Sequence, residues 1–222
     1  MIPSFLLGVL SNRDLLSQSG GGGTAVTRML LHFDGANGAT TSLDASADQR
    51  TLVFAGNAQL TTDEKKFGSA SLVLAGSGGG VEVDTPGISG DFCIEAFVRV
   101  LDNNSSRAVI TMPGDLEIYR RGGTNTMAVW TPTLFGSSLE LVVGTWHHIA
   151  FSREGPTARL FVDGQVGTSF TYTSAIPSGT SYIGSYNNGS EVWNGQVDEV
   201  RLTTGAPVYT GTFTPPAAQF SA

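Results

Sequence analysis

The chain has 222 residues, of which 40% are hydrophobic and only 14% are charged, and its formal net charge is −7. This negative charge leaves no basic surface that could displace phosphate counterions, so no nucleic acid partner is expected. With 29 glycines, 9 prolines and one cysteine, the composition favours many short strands joined by tight turns and excludes a disulfide framework.

The first 25 residues differ in character from the rest of the chain. The run Ser17–Thr24 is a glycine-rich linker by composition. The segment before it lacks the positive start and cleavage pattern of a secretory signal, and its apolar run is far below the ~20 residues that cross a bilayer. We therefore predict no membrane insertion and a docking arm over residues 1–25 that binds a partner protein. Its apolar docking side chains are Phe5, Leu6, Leu7, Val9 and Leu10.

Residues 26–222 carry the pattern of a single all-β domain. Short apolar or alternating runs are separated by Gly, Asn, Asp and Ser, and no stretch has sustained helical periodicity. Many short strands of this kind predict two packed sheets. The predicted strands are Met29–Phe33, Ala70–Leu74, Val81–Val83, Phe92–Val100, Ala108–Met112, Leu116–Arg120, Thr126–Trp130, Leu139–Val142, Trp146–Arg153, Ala158–Val162, Thr168–Tyr172, Tyr182–Ser185 and Gly195–Thr203.

The pair Asp163-Gly164 stands between an apolar strand and a second run, which is the strongest short hairpin signal that a sequence offers. The segments on either side, Gly144–Arg153 and Ala158–Gly164, resemble the central signature of laminin-G-like domains of the concanavalin A type. Further matching motifs stand in family order. They are Leu30–Gly35, Phe67–Leu72, Asp91–Val98, Tyr182–Gly184 and Trp193–Leu202.

The resemblance implies an antiparallel two-sheet jelly-roll sandwich behind an extended N-terminal arm, with a C-terminal extension. The closing stretch Val208–Pro216 is similar to the tail of a subgroup common in bacteriophage structural proteins and bacterial surface proteins. Many members of the fold carry a structural calcium ion that ties the first strand to the last. The resemblance places its carboxylate ligands at Asp34 and Asp198, with carbonyls or waters completing the shell. The alternative is that both carboxylates bond backbone amides in turns.

A sugar site on this scaffold needs an aromatic platform beside amides or carboxylates. The loop from residue 182 to residue 193 supplies such groups, and Trp130 and Tyr119 are further candidates. The alternative is that these aromatic rings fill the core of the sandwich. The loop residues predicted to bind sugar are Tyr186, Asn187, Asn188, Glu191 and Trp193.

The sequence offers no recognisable catalytic centre, so we expect no enzymatic activity. No Glu-x-Asp-x-x-Glu motif is present, and Asp198 and Glu199 are strand neighbours whose side chains are predicted to leave opposite faces. The three histidines, His32, His147 and His148, have no nucleophile elbow with which to form a triad.

Three functions are compatible with these patterns. The leading hypothesis is a virion structural protein of a bacteriophage, a capsid decoration or tail component, whose arm binds other virion proteins in an oligomeric assembly and whose jelly roll is available to host-surface glycans. The alternative is a carbohydrate-binding module of a bacterial surface or secreted protein. A degenerate glycan lyase or hydrolase is a remote third option, because the acids that it needs cannot be assembled from this sequence.

Overall fold

A computed structural model describes residues 23–187 and 189–222, which form a sandwich of two antiparallel sheets. The predicted docking arm, with Phe5, Leu6, Leu7, Val9 and Leu10, lies outside the described residues. The strands are β1 Val26–Leu31, β2 Leu52–Gly56, β3 Gln59–Thr61, β4 Ser71–Ala75, β5 Gly79–Thr85, β6 Phe92–Val100, β7 Arg107–Met112, β8 Leu116–Arg120, β9 Thr126–Trp130, β10 Leu134–Glu140, β11 Trp146–Glu154, β12 Thr157–Val162, β13 Gln165–Thr171, β14 Gly179–Ile183 and β15 Asn194–Thr204.

Eight strands form one sheet and seven form the other. The eight-stranded sheet has the order β13-β12-β11-β6-β15-β4-β3, with β1 also paired to β15. The seven-stranded sheet has the order β10-β9-β8-β7-β14-β5-β2. The predicted all-β two-sheet sandwich is therefore confirmed. Nowhere in the described part of the chain is there an apolar helix long enough to cross a membrane.

The core lies between the sheets and is built from alternate residues of each strand. Val81 and Val83 of β5, and Ile118 of β8, point into it from the seven-stranded sheet. From the eight-stranded sheet, Ile94 and Phe151 meet them, and all five side chains are buried. The next residues along each strand point to the outside, as the period of two in a pleated strand requires.

Most predicted strands are present with small shifts, but the edges of the sheets differ. Strands β2 and β3 were not predicted, because one is a half-exposed edge strand and the other has only three residues. The prediction of a strand over Leu139–Val142 is wrong in its bounds, since β10 begins at Leu134. A register shift between Gly136 and Glu140 interrupts the alternation that sequence patterns rely on.

The Asp163-Gly164 hairpin is confirmed. Val162 and Gln165 pair across the turn, and both central residues have positive φ, 49° at Asp163 and 76° at Gly164. These angles fit the turn type whose twist matches the flanking strands. Gly164 is also required by packing, because a Cβ atom there would clash with the backbone carbonyl of Phe213.

A β-bulge in β15 overturns the prediction that Asp198 and Glu199 leave opposite faces of the strand. The pairing of β15 with β6 shifts between Asp198 and Arg201, and Glu199 has a φ of 53°. One extra residue in the strand turns neighbouring side chains to the same side. Both carboxylates consequently lie on the outer face of the eight-stranded sheet, where the charge of Glu199 contributes to the raised pKa of Asp198.

The C-terminal extension covers that outer face. Phe220 packs with Leu30 and Phe97, while Phe213 packs against Phe161. The backbone amide of Phe220 donates to Glu199 Oε2 at 2.9 Å, so the end of the extension is held by a hydrogen bond as well as by apolar contact. The extension therefore acts as a cover over the eight-stranded sheet.

Candidate functional site

The outer face of the seven-stranded sheet carries a row of cross-strand pairs that crosses all seven strands. Because directly paired residues in antiparallel strands point to the same face, these side chains are neighbours. We call this set the cross-strand row. Its members are Val53, Glu82, Tyr182, Thr111, Glu117, Trp130 and Leu134.

One end of the cross-strand row is apolar and open to solvent. Trp130, the last residue of β9, is 42% exposed, and its partner Leu134 on β10 is 41% exposed. Large exposed apolar side chains that are adjacent mark binding surfaces more often than scattered ones do. The indole ring of Trp130 thus offers a flat apolar surface at the edge of the row.

Glu117 occupies the centre of the row, between Thr111 and Trp130. It is only 8% exposed, and its Oε1 atom has no hydrogen-bond partner among the described residues. Burial, and then the charge and side-chain contact of Glu191, raise the pKa of Glu117 to about 7. A buried carboxyl oxygen without a donor costs free energy, so Glu117 is not a structural acid that its own fold satisfies.

The loop after β14 brings Glu191 to this carboxyl. Tyr186 and Ser190 exchange backbone hydrogen bonds of 2.8 and 3.1 Å, which closes a tight turn. The carbonyl of Glu191 then accepts the amide of Ala108 at 2.8 Å, which fixes the loop to β7. Glu191 has a φ of 47°, in the left-handed region, and its side chain is close enough to raise the pKa of Glu117.

A second unpartnered polar group lies on the same face. The Ser185 side chain is fully buried, and its Oγ has no partner among the described residues. The hydroxyl of Thr111 donates to the Ser185 carbonyl at 3.0 Å, so the two residues lie side by side. Gly80 is required beneath it, since a Cβ atom at that position would clash with Ser185 Oγ.

The structure unites some of the predicted sugar-binding residues and separates others. Trp130 and Glu191 come together, because each is a neighbour of Glu117. Tyr186 and Asn187 lie in the tight turn, where Tyr186 is half-buried and Asn187 is exposed. Asn188 lies outside the described residues. Trp193 needs a correction: it is fully buried in the core, with its indole N–H donating to backbone carbonyls at 3.2 Å, so its ring cannot face a sugar.

The sequence analysis did not predict Glu117 or Ser185 as site residues. Glu117 is one charged residue within a strand, and only the pairing of β8 with β9 shows that it adjoins Trp130. An acid inside the otherwise apolar run Leu116–Tyr119 was the available signal. It is weak, because exposed strand positions are often charged.

The predicted calcium ligands are occupied by protein donors. Asp34 accepts the Ser69 amide and hydroxyl and the Gln219 side-chain amide. Asp198 accepts the backbone amides of Lys66 at 2.8 Å, Phe67 at 3.1 Å and Glu199 at 2.9 Å. Because these bonds use most of the about four lone-pair sites of each carboxylate, little capacity is left for a cation, and the arrangement does not favour a clamp through the two aspartates.

The electrostatics of this region agree with that geometry. Burial, together with the charge of Glu199, raises the pKa of Asp198 to about 7, although three backbone amides act in the opposite direction. Among residues 23–187 and 189–222, no three His, Cys, Asp or Glu side chains converge as a metal site. The calcium ion stays a prediction from the sequence resemblance.

Comparison with known proteins places the fold in a family. Residues 75–207, more than half of the chain, match the model of laminin G type described as the concanavalin A-like lectin/glucanases superfamily. The chain belongs to this superfamily. No curated protein sequence matches it.

Solved structures with the same fold include domain 4 of AbnA, a GH43 extracellular arabinanase from Geobacillus stearothermophilus, in complex with arabinotriose. The TM-score is 0.64 at 16% identity, over 83% of this chain and 95% of that domain. The receptor-binding domain of botulinum neurotoxin type G has a TM-score of 0.61 at 11% identity, over 83% of this chain and 49% of that one. The binding domain of botulinum neurotoxin DC in complex with SialylT has a TM-score of 0.62 at 12% identity, over 82% and 48%. This chain therefore spans about half the length of the toxin domains.

Proposed function

We propose that this chain is a non-catalytic carbohydrate-binding module whose glycan lies along the cross-strand row of the seven-stranded sheet. The observation that carries the proposal is the buried carboxyl of Glu117, whose Oε1 has no partner among the described residues, beside the exposed indole ring of Trp130. Of the three hypotheses drawn from the sequence, the proposal adopts the carbohydrate-binding module, which was the alternative to a virion structural protein.

A sugar ring has an apolar face and a rim of hydroxyl groups, so it binds where an aromatic ring adjoins hydrogen-bonding groups. Trp130 supplies the ring. The exposed side chain of Glu191 and the slightly exposed carboxyl of Glu117 supply acceptors on the same face. Sugar hydroxyls could donate to these carboxyl groups while the sugar ring stacks on the indole ring.

The related structures support the same class of ligand. Domain 4 of the arabinanase is a separate domain of a glycan-degrading enzyme, and its structure contains arabinotriose. That domain is matched over almost its whole length by this chain. By analogy, a module of this fold can bind a glycan without performing the chemistry itself.

The burial of Glu117 argues against hydrolysis. Retaining glycosidases hold two carboxyl groups ~5 Å apart beside the glycosidic bond, and inverting enzymes hold them farther apart. Glu117 Oε1 is buried, so Glu117 and Glu191 do not present two open carboxyl groups to a glycosidic bond. We therefore expect no turnover of glycosidic substrates.

The proposal is tested by screening the purified protein on a glycan array and measuring the tightest ligand by calorimetry. We expect Trp130→Ala to weaken binding by about tenfold or more, because aromatic anchors carry much of the binding energy. Trp146→Phe, on the other sheet, is the matched control and should bind like the wild type. Absence of any bound glycan, or an equal loss in both variants, would contradict the proposal.

The virion assignment depends on residues 1–25 and on the resemblance of the C-terminal tail, and the comparisons give it no support. It remains a prediction from the sequence, with its own test. Deleting residues 1–23 should leave a folded domain, since β1 begins at Val26, and should abolish incorporation into an assembly if the arm docks there. Undiminished incorporation would refute the docking arm.

A further inference from the structure

Carboxyl groups outnumber cations on the outer face of the seven-stranded sheet. Glu82 and Glu117 lie in the cross-strand row, Glu191 contacts it, and Asp84 and Glu140 point to the same side from β5 and β10. The cations nearby are three arginines. Arg121 lies beside Tyr119 and Gly136, and Arg50 donates to the Asp84 carbonyl at the far edge. Arg107 on β7 donates to the Val192 carbonyl, next to Glu191, and pairs with Asp102. None of these arginines forms an ion pair with Glu117 or Glu191.

Within the part of the chain that the structure describes, no cation contacts Glu117. The groups that face Glu117 are Thr111 on β7, Trp130 on β9, Tyr119 on its own strand and Glu191 from the loop. None of these is a cation. The two carboxyl groups can lie in contact only when a proton or another positive charge lies between them.

We propose that this face selects glycans by charge, binding amine-bearing sugars most tightly through Glu117 and Glu191, neutral sugars less tightly, and rejecting carboxylated sugars. The inference rests on the proposed function, and it names the ligand class of that site. A sugar ammonium has three donors. It can donate to the exposed Glu191 carboxylate and to the accessible part of the Glu117 carboxyl, in place of a proton held between the two groups.

The electrostatic reasoning gives an order of affinities. An ammonium relieves the repulsion between the two carboxylates and gains two charge-assisted hydrogen bonds. A neutral sugar gains a hydrogen bond but leaves the repulsion or the shared proton in place. A carboxylated sugar adds a third negative charge beside a buried one, which low local dielectric makes costly.

The test is a glycan array on which each sugar skeleton is present in amine-bearing, N-acetylated and carboxylated forms, screened at about pH 6, where sugar amines are protonated. The best skeleton is then measured by calorimetry. We expect the amine-bearing form to bind about tenfold more tightly than the N-acetylated form, and the carboxylated form not to bind. Binding of the amine should also release a proton, seen as a dependence of the binding enthalpy on the buffer.

Two variants and a control show which carboxyl groups cause the preference for amine-bearing sugars. Glu117→Gln and Glu191→Gln should each reduce the ratio of amine-bearing to N-acetylated affinity to about twofold or less, whatever their effect on neutral binding. Glu191 is exposed, so its variant stays informative even if Glu117→Gln affects folding. Glu140→Gln, an exposed acid at the sheet edge, should keep the full preference.

The outcomes separate the two proposals. Equal binding of amine-bearing and N-acetylated forms, tight binding of a carboxylated form, or a preference that survives in both glutamine variants would overturn selection by charge while leaving a carbohydrate-binding face. An array without any bound glycan, in any of its three forms, would overturn the proposed function and the selectivity that depends on it.

Discussion

The two outer faces of the sandwich each carry a buried glutamate, and the two glutamates have opposite surroundings. Glu95, on β6 of the eight-stranded sheet, is fully buried and accepts hydrogen bonds from His148 at 2.9 Å, Arg201 at 2.7 and 2.9 Å, and Tyr209 at 2.9 Å. Glu117, on β8 of the seven-stranded sheet, contacts another carboxyl and has one oxygen without a partner in the described structure.

The pKa directions follow from these surroundings. Burial alone would raise the pKa of Glu95, but the His148 hydrogen bond and the Arg201 charge hold it below its usual value. Burial and Glu191 raise the pKa of Glu117 to about 7. A satisfied buried charge under a covering segment stabilises the fold, whereas an unsatisfied one contributes little to it. This difference agrees with the proposal that the seven-stranded sheet carries the binding face.

The largest expected difference between the two faces is in the effect of neutralising each glutamate on stability. Glu95→Gln should reduce the free energy of unfolding by about 3–5 kcal/mol, because it leaves the partly buried guanidinium of Arg201 beside a neutral partner. Glu117→Gln should leave stability unchanged or raised, because it removes a carboxyl that has no cation. Urea unfolding of both variants measures the contrast. A smaller loss for Glu95→Gln than for Glu117→Gln would reverse our assignment of the two faces.

The covering segment can be tested separately. Phe220 is 6% exposed, and Arg201 lies 4.3 Å from its ring centroid. Phe220→Ala should destabilise the domain by about 3 kcal/mol, the usual cost of removing a buried aromatic ring. Leu134→Ala, on the open face, should cost about 0.5 kcal/mol or less as a partly exposed control. Equal thermal midpoints for the two variants would show that the extension does not cover the sheet as described.

Stability should depend on pH through the two acids of raised pKa. Between their ordinary values, near 4, and about 7, Glu117 and Asp198 keep protons in the folded state that the unfolded chain has lost. The free energy of unfolding should therefore fall as pH rises through this interval and level off above it. Glu117→Gln should reduce the total fall in the free energy of unfolding between pH 4.5 and pH 8 by about 1–3 kcal/mol. A slope identical to that of the wild type would contradict the raised pKa of Glu117.

The smallest expected effect concerns calcium. Because backbone and side-chain donors occupy Asp34 and Asp198, a chelator should not change the thermal midpoint. A bound stabilising ion would instead shift it by several degrees, since a 100-fold excess over Kd contributes about 2.7 kcal/mol. Differential scanning calorimetry with chelator and with added calcium measures this. If the chelator lowers the midpoint of the wild type but not that of Asp198→Asn, the calcium clamp implied by the resemblance is supported instead.

The fold was predictable from the sequence because strand alternation, the Asp163-Gly164 turn and the family motifs are local patterns. The candidate site was predictable only in part. Trp130 and Glu191 have suitable side chains, but their meeting at Glu117 depends on strand pairing and on the turn conformation of the loop. The bulge that turns Asp198 and Glu199 to one face is likewise invisible in a pattern of period two.

The burial of Trp193 is another feature that the sequence alone did not predict. Its loop is rich in polar residues, so the sequence favoured a surface position, yet its indole N–H finds backbone carbonyls within the sandwich. A tryptophan in a polar loop can face either way, and only the three-dimensional packing decides between core and surface.

The most direct test of the binding face is tryptophan fluorescence during titration with the tightest glycan from the array. Trp130 is 42% exposed, whereas Trp193 is fully buried, so a ligand on the cross-strand row should change the emission of Trp130 alone. We expect a saturable spectral shift in the wild type and in Trp146→Phe, and no shift in Trp130→Phe at concentrations where the ligand still binds. A shift that persists in Trp130→Phe and disappears in Trp146→Phe would place the glycan on the other sheet and contradict the account.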